Sequence, residues 1–153
     1  KGIVHRDIKP DNILLSGGSA MVTDFGVAKA LDAAAAQASS SQLTGIGVTL
    51  GTPAYMSPEQ AAASSAIDAR SDIYSLGVVL FEMATARRLF LGESVGQVFE
   101  AHRSEPAPDP RSIRPGLPAD LAKIILRCLE KDPGRRFATA GELATALQEA
   151  RVT

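Results

Sequence analysis

Cysteine is almost absent from this chain: Cys128 is the only one among 153 residues. A lone cysteine cannot close an internal disulfide, so the fold does not depend on an oxidising compartment. Its place in an apolar run marks it as a small core residue rather than a reactive thiol. A surplus of either charge is also missing, since 16 Lys and Arg are scattered among 17 acids, with a formal net charge of −1. That leaves no basic stripe for nucleic acid and no field for a charged membrane surface. The longest apolar stretch, Tyr74 to Ala84, contains Glu82 and is too short to cross a bilayer, so the segment is read as soluble and not membrane-inserted. The chain starts at Lys1 with no charged-then-apolar leader, and no internal repeat is visible. What remains is an ordinary globular balance, 45% hydrophobic and 22% charged, in a length suited to one core.

Along the chain, Ile13-Leu14-Leu15 and Ala20-Met21-Val22-Thr23 flank Ser16-Gly17-Gly18-Ser19, which predicts a small hairpin. Asp32 to Gln42 is rich in Ala and Ser and buries little, so a loop with one helical turn is expected. Gly45, Gly47, Gly51 and Pro53 keep the chain irregular up to Ser57. Ser57-Pro58-Glu59 then starts a helix with a capping hydroxyl, Pro at the first position and an acid in the first turn. Arg70 to Ala86 is apolar nearly all round, Met83 included, which predicts a buried central helix. Ser94 to His102 reads as a short amphipathic helix with His102 solvated on its surface. Pro106, Pro108, Pro110, Pro115 and Pro118 mark a connector, and Leu121 to Leu129 has helical spacing. Thr139 to Arg151 closes the chain as a helix, with Thr139 and Glu142 spaced as a capping box.

Chemistry concentrates near the start. His5-Arg6-Asp7-Ile8-Lys9-Pro10-Asp11-Asn12 packs an acid, a base and an amide into one loop, and twelve residues after Asn12 comes Asp24-Phe25-Gly26. Phosphoryl transfer needs a carboxylate to orient the attacking hydroxyl, oxygen ligands for magnesium and a cation for the moving group. Asp7, the Asn12/Asp24 pair and Lys9 supply one of each. Taken singly, Asp7 or Asp24 reads as a turn or capping residue; the joint spacing is what carries the chemical reading. His5 and Phe25 are expected to pack.

These residues resemble the catalytic loop of the protein kinase family: His-Arg-Asp, four residues, Asn, then Asp-Phe-Gly. Gly51-Thr52-Pro53-Ala54-Tyr55-Met56-Ser57-Pro58-Glu59 is similar to the end of that family's activation segment, and motif order and spacing agree over essentially the whole chain. Lys9 resembles the serine/threonine branch, and the string through Gln60 is similar to bacterial kinases of the eukaryotic (Hanks) type. The fold implied is α+β, the mainly helical C-terminal lobe of a kinase with a short hairpin and without the small lobe. Its divisions would be 1–26, catalytic loop to Asp-Phe-Gly; 27–59, activation segment; and 60–153, helical substrate-binding lobe.

The resemblance implies roles. Asp7 would orient the substrate hydroxyl and accept its proton, and Lys9 would neutralise the moving phosphoryl group. Asn12 and Asp24 would hold Mg2+ or Mn2+, and Lys9, Asn12, Leu14 and Asp24 would contact ATP. Thr52 would shape the pocket for the residue after the acceptor. Glu59 would pair with Arg136, favoured over Arg135 by the spacing from Asp132, and Asp72 would hold the His5–Arg6 turn; these three are structural. Protein substrates bearing Ser or Thr, a cytoplasmic site (as the cytoplasmic domain of a membrane-anchored parent in one version) and a homodimer for trans-autophosphorylation in the intact protein are further implications.

Arg6 places a cation beside the site that a loop phosphate could pair bidentately, with Lys29 assisting. Among Ser39, Ser40, Ser41, Thr44 and Thr49, the resemblance favours Thr44 and Thr49 as phosphosites, and Thr44 as an autophosphorylation site. Leu89-Phe90, where relatives often have Pro-Phe, is a small departure. No Gly-x-Gly-x-x-Gly loop and no Val-Ala-Ile-Lys strand occurs, so the expectation is a truncated chain that alone binds ATP weakly, turns over nothing measurable and exposes apolar surface. Rival readings are a pseudokinase-like scaffold, which intact Asp7, Lys9, Asn12 and Asp24 oppose, and a small-molecule phosphotransferase of the aminoglycoside-kinase type, which residues 51–59 oppose.

Overall fold

A computed structural model of the chain describes residues 3–24 and 53–150. The order of elements is a hairpin followed by helices. Strands β1 (Ile13–Ser16) and β2 (Ser19–Val22) pair antiparallel, with Ile13 opposite Val22 and Ser16 opposite Ser19. The connection is Gly17-Gly18, with φ of 56° and 79°, a left-handed pair that glycine adopts without a Cβ penalty and that matches the strand twist. The hairpin stands out from the helical body: Leu14, Leu15 and Met21 are all exposed, Leu15 by 83%.

Helix α1 (Pro58–Ala61) is a single turn, stopped from fraying by Ser57, whose hydroxyl accepts from the Gln60 N–H while the Gln60 side chain accepts from the Ser57 N–H. The central helix, α2 (Ala69–Thr85), starts at Asp68, whose carboxylate accepts from the Arg70 N–H. Burial of Ile73, Tyr74, Gly77, Val78, Val79 and Phe81 places it at the centre of the body, as its composition predicts. Met83 departs from that expectation. It is 73% exposed because it lies on the face of α2 that carries the half-buried Asp72, Leu76 and Leu80, while Ala84 and Thr85 stay against the core up to Ala86, a left-handed cap with φ of 56°.

Helices α4 (Pro110–Ile113) and α5 (Ala119–Cys128) pack against it, α3 (Val95–Ser104) packs on α1 and the turn at 53–55, and α6 (Ala140–Glu149) packs on α5. The proline connector is not wholly irregular: Asp109 caps α4 and Pro110 sits at its first position, where a missing N–H costs nothing. The α2–α5 contact is so close that a Cβ on Gly77 would lie 2.5 Å from the Cβ of Cys128. Cys128 is fully buried there, and burial pushes its thiol up to about 12, the behaviour of a core residue. Only half of the expected box forms at α6. Thr139 accepts from the Glu142 N–H at 3.1 Å, but Glu142 reaches the N–H of Ala138, one residue earlier than a reciprocal box would require. Arg151, the expected end of this helix, lies outside the described residues, as does the whole of 32–42. Among the described residues no helix is long and apolar enough to cross a membrane.

Candidate functional site

The loop before the hairpin is held from three sides. Asp72, in the first turn of α2, accepts the backbone N–H of His5 at 2.7 Å and of Arg6 at 2.9 Å. Burial raises the pKa of Asp72, against the opposing pull of those two donors. Arg6 takes a left-handed φ of 69°, a conformation that costs a non-glycine residue roughly 1 kcal/mol and has to be offset by such bonds. His5 is buried, and its ring spans two segments: Nδ1 accepts from the Asp7 N–H at 3.1 Å, and Nε2–H donates to the Thr23 carbonyl at 2.5 Å. It therefore does more than pack, tying the loop to the end of β2.

Beyond Asp7, a 3-10 turn over Pro10–Asn12 folds the chain back, so that the Asn12 amide nitrogen donates to Asp7 O at 2.9 Å and to Asp7 Oδ2 at 3.1 Å. The Lys9 ammonium lies 3.5 Å from the same Oδ2. One carboxylate, one amide and one ammonium thus converge, with Asp7 and Lys9 still partly open to solvent.

The hairpin brings Asp24 to this cluster. Asn12 immediately precedes β1, and its carbonyl accepts the Thr23 N–H at 2.8 Å, which extends the strand pairing by one step. Asp24 follows directly, exposed and at a left-handed φ of 64°. With its nitrogen committed to Asp7, Asn12 has its amide oxygen left to offer; together with the Asp24 carboxylate this is a hard oxygen donor set of the kind magnesium takes beside substrate phosphates and water. The residues present therefore fit a divalent cation with a nucleotide, and Leu14, two residues after Asn12 on β1, presents a half-exposed apolar side chain.

A second group of residues follows the loop in sequence. Pro53–Tyr55 forms a 3-10 turn and leads into Ser57 and α1. Glu59 on α1 meets the Arg136 guanidinium in a bidentate pair of 2.7 and 3.0 Å, and also accepts from the Ser71 hydroxyl at 2.6 Å. Arg136 spends its other N–H groups on the carbonyls of Arg70, Glu130 and Lys131, so all five of its donors are used. Neighbouring Arg135 sits instead in the 3-10 turn Pro133–Arg135. Burial alone would raise Glu59, but the hydrogen bonds from Arg136 and Ser71 outweigh it and hold its carboxyl below the usual range. Tyr55 donates to Glu82 of α2, and burial plus this bond push its phenol up to about 12.

His102 corrects an expectation. It is not solvated surface but fully buried, edge-on to Tyr74 and Phe90. Its Nδ1 accepts from the Tyr74 hydroxyl at 2.8 Å, and its Nε2–H donates at 3.0 Å to the carbonyl of Ala54 in the Pro53–Tyr55 turn. The physical reason was available in the sequence: His102 lies three and four residues after Phe99 and Val98, on the stripe that faces the core. Burial, aided by Lys131, pushes the imidazole down to about 4, against the pull of the Ala54 carbonyl. An unfolded chain takes up its proton near 6.5, so this residue's contribution is complete above that pH and is lost as pH falls towards 4. The expected loss is about 3 kcal/mol. Urea unfolding of wild type and His102→Gln at pH 7 and pH 4.5 checks it: the variant should lose distinctly less stability on acidification, and equal losses would refute the assignment.

Thr44 and Thr49, the expected phosphosites, Thr52, the expected pocket residue, and Phe25, Gly26 and Lys29 lie outside the described residues. Sequence reasoning overlooked Gln60, whose side chain reaches back across 54 residues to the Arg6 carbonyl at 2.8 Å. It also overlooked Lys131, whose ammonium donates to the carbonyls of Ala101 and His102 and which burial and Arg136 lower to about 8.

Comparison with protein-family models matches the one described as the protein kinase domain over residues 1–149. Among curated proteins, the chain is 42% identical over 155 residues to the serine/threonine-protein kinase Pkn1 of Myxococcus xanthus, covering 98% of this chain and 21% of that protein. It is 47% identical over 145 residues to a probable serine/threonine-protein kinase PknB of Bifidobacterium longum, covering 94% and 20%. It is 44% identical over 144 residues to the DNA damage-responsive serine/threonine-protein kinase RqkA of Deinococcus radiodurans, again covering 94% and 20%. The chain thus spans about a fifth of the length of the curated relatives it matches.

Proposed function

The chain belongs to the protein kinase family, and from that premise we propose that the full-length protein transfers the γ-phosphoryl group of ATP to Ser and Thr hydroxyls of protein substrates. The observation that carries the reading is the convergence on Asp7, whose carboxylate receives the Asn12 amide at 3.1 Å and lies 3.5 Å from the Lys9 ammonium. A carboxylate so placed can orient an acceptor hydroxyl and take its proton as the oxygen attacks the γ-phosphorus and the bond to the bridging oxygen breaks, releasing ADP. Lys9 then faces the three phosphoryl oxygens as charge spreads over them, and Asp7, once protonated, releases its proton to solvent after the product leaves. When bound, MgATP or MnATP supplies a phosphoryl group whose charge is already partly neutralised. Asn12 and Asp24 would hold that cation, Leu14 would line the nucleotide, and the turn at 53–57, with Thr52, would seat the peptide. Residues 1–26, 27–59 and 60–153 would then be the catalytic loop, the activation segment with Thr44 and Thr49, and the substrate lobe. ATP as donor suits a cytoplasmic domain, and these 153 residues by themselves, without a glycine-rich loop, would transfer little.

The deciding experiment gives full-length protein γ-labelled ATP, magnesium and a protein acceptor, followed by phosphoamino acid analysis. Label on phosphoserine and phosphothreonine is expected. No label, label on tyrosine alone, or label only on an added aminoglycoside would overturn the proposal.

A further inference from the structure

Gln60 has no part in the roles assigned above, yet it joins the two halves of the site. It belongs to α1, directly after the turn that would seat the peptide, and both ends of its amide are committed. Its Oε1 accepts the Ser57 N–H at 3.1 Å, which fixes the orientation of the group, and its Nε2 therefore points away and donates to the Arg6 carbonyl at 2.8 Å. The peptide unit it grips is the one joining Arg6 to Asp7. The other edge of that unit, the Asp7 N–H, is held by His5 Nδ1, and the Arg6 N–H is held by Asp72. A left-handed residue at position 6 is thus bonded at its N–H, at its carbonyl and at the following N–H. The plane of the Arg6–Asp7 peptide sets the direction in which the Asp7 side chain leaves the backbone.

We infer that Gln60 is a positioning residue: it sets the Asp7 carboxylate relative to the peptide-seating turn, so that acceptor and base are aligned by one side chain. This rests on the kinase reading and adds to it a requirement for an amide, not merely a helix cap, at position 60. A displacement of about 1 Å between acceptor and base can cost roughly 10²-fold in rate, so even an exposed hydrogen bond matters here.

Gln60→Glu separates the two jobs. The introduced carboxylate still accepts from the Ser57 N–H and keeps the capping box, whereas the donor to the Arg6 carbonyl is replaced by a repelling oxygen. In full-length protein, Gln60→Glu should lower kcat with a protein acceptor by about tenfold, leave KM for ATP within about twofold and lower the melting temperature less than Gln60→Ala does. Gln60→Ala, which loses both contacts, should lower kcat and the melting temperature together. A Gln60→Glu enzyme with wild-type kcat would overturn the inference. If wild type itself transfers no phosphate, the kinase reading fails, and the clamp is judged on hydrogen exchange instead. Faster exchange of the Asp7 amide in Gln60→Glu than in wild type supports it, and equal exchange refutes it.

Discussion

Arg136→Ala will cost the domain about 3–5 kcal/mol, a drop in melting temperature on the order of 10 °C for a body of this size. The guanidinium is wholly buried and Glu59 nearly so, with 10% exposure. Taking the pair out of water is costly, and its attraction repays that cost only while the geometry is complete. Removing Arg136 leaves a buried carboxylate with the Ser71 hydroxyl as its remaining side-chain partner, and strips donors from the carbonyls of Arg70, Glu130 and Lys131. Arg136→Lys should recover part of the loss, since an ammonium keeps the charge but cannot make the two-pronged contact. The pair has a pH signature too. Because the folded Glu59 carboxyl is held below its ordinary value of 4.5, its contribution is present above that pH and is lost as pH falls through the depressed value. Thermal unfolding of wild type and both variants at pH 7 measures the first effect; an Arg136→Ala protein melting within 2 °C of wild type would be incompatible with this account.

Asp7→Asn should lower kcat by 10²–10⁴-fold while changing KM for ATP little. The substitution is nearly isosteric, and its amide oxygen can still accept from Asn12, so the loop keeps its shape. What goes is the charge: the group can no longer take the acceptor's proton, and the partner of the Lys9 ammonium becomes neutral. The effect therefore falls on the chemical step and not on nucleotide binding. Steady-state kinetics of the full-length protein separate the two, and a large rise in KM for ATP with kcat preserved would mean that Asp7 binds rather than reacts.

Much of this arrangement was legible in the sequence. Gly17-Gly18 between the apolar runs Ile13–Leu15 and Ala20–Val22 specified the hairpin, and the near-continuous apolar run after Asp72 specified the central helix. The motif residues Asp7, Asn12 and Asp24 are drawn together because a hairpin of matched strands returns the chain to its start, a local consequence of turn chemistry. The contacts that could not be read are those between distant segments. Gln60 looks like an ordinary helix residue until α1 is seen beside the Arg6 carbonyl. His102 was legible by period but its polarity argued for solvent, and only Tyr74 and Ala54, 28 and 48 residues away, make its burial tolerable. Exposure of Met83 follows from the face of α2 that it shares with Asp72, Leu76 and Leu80, and composition does not encode which face turns outward.

The central claim is that Asn12 and Asp24, held beside Asp7 by the hairpin, complete one phosphoryl-transfer site. Magnesium dependence of single-turnover transfer in full-length wild type and Asp24→Asn tests it most directly. The account predicts that the variant needs far more magnesium and remains at least 10²-fold slower at saturation, with unfolding unchanged. A variant that follows the wild-type magnesium curve and rate would contradict it.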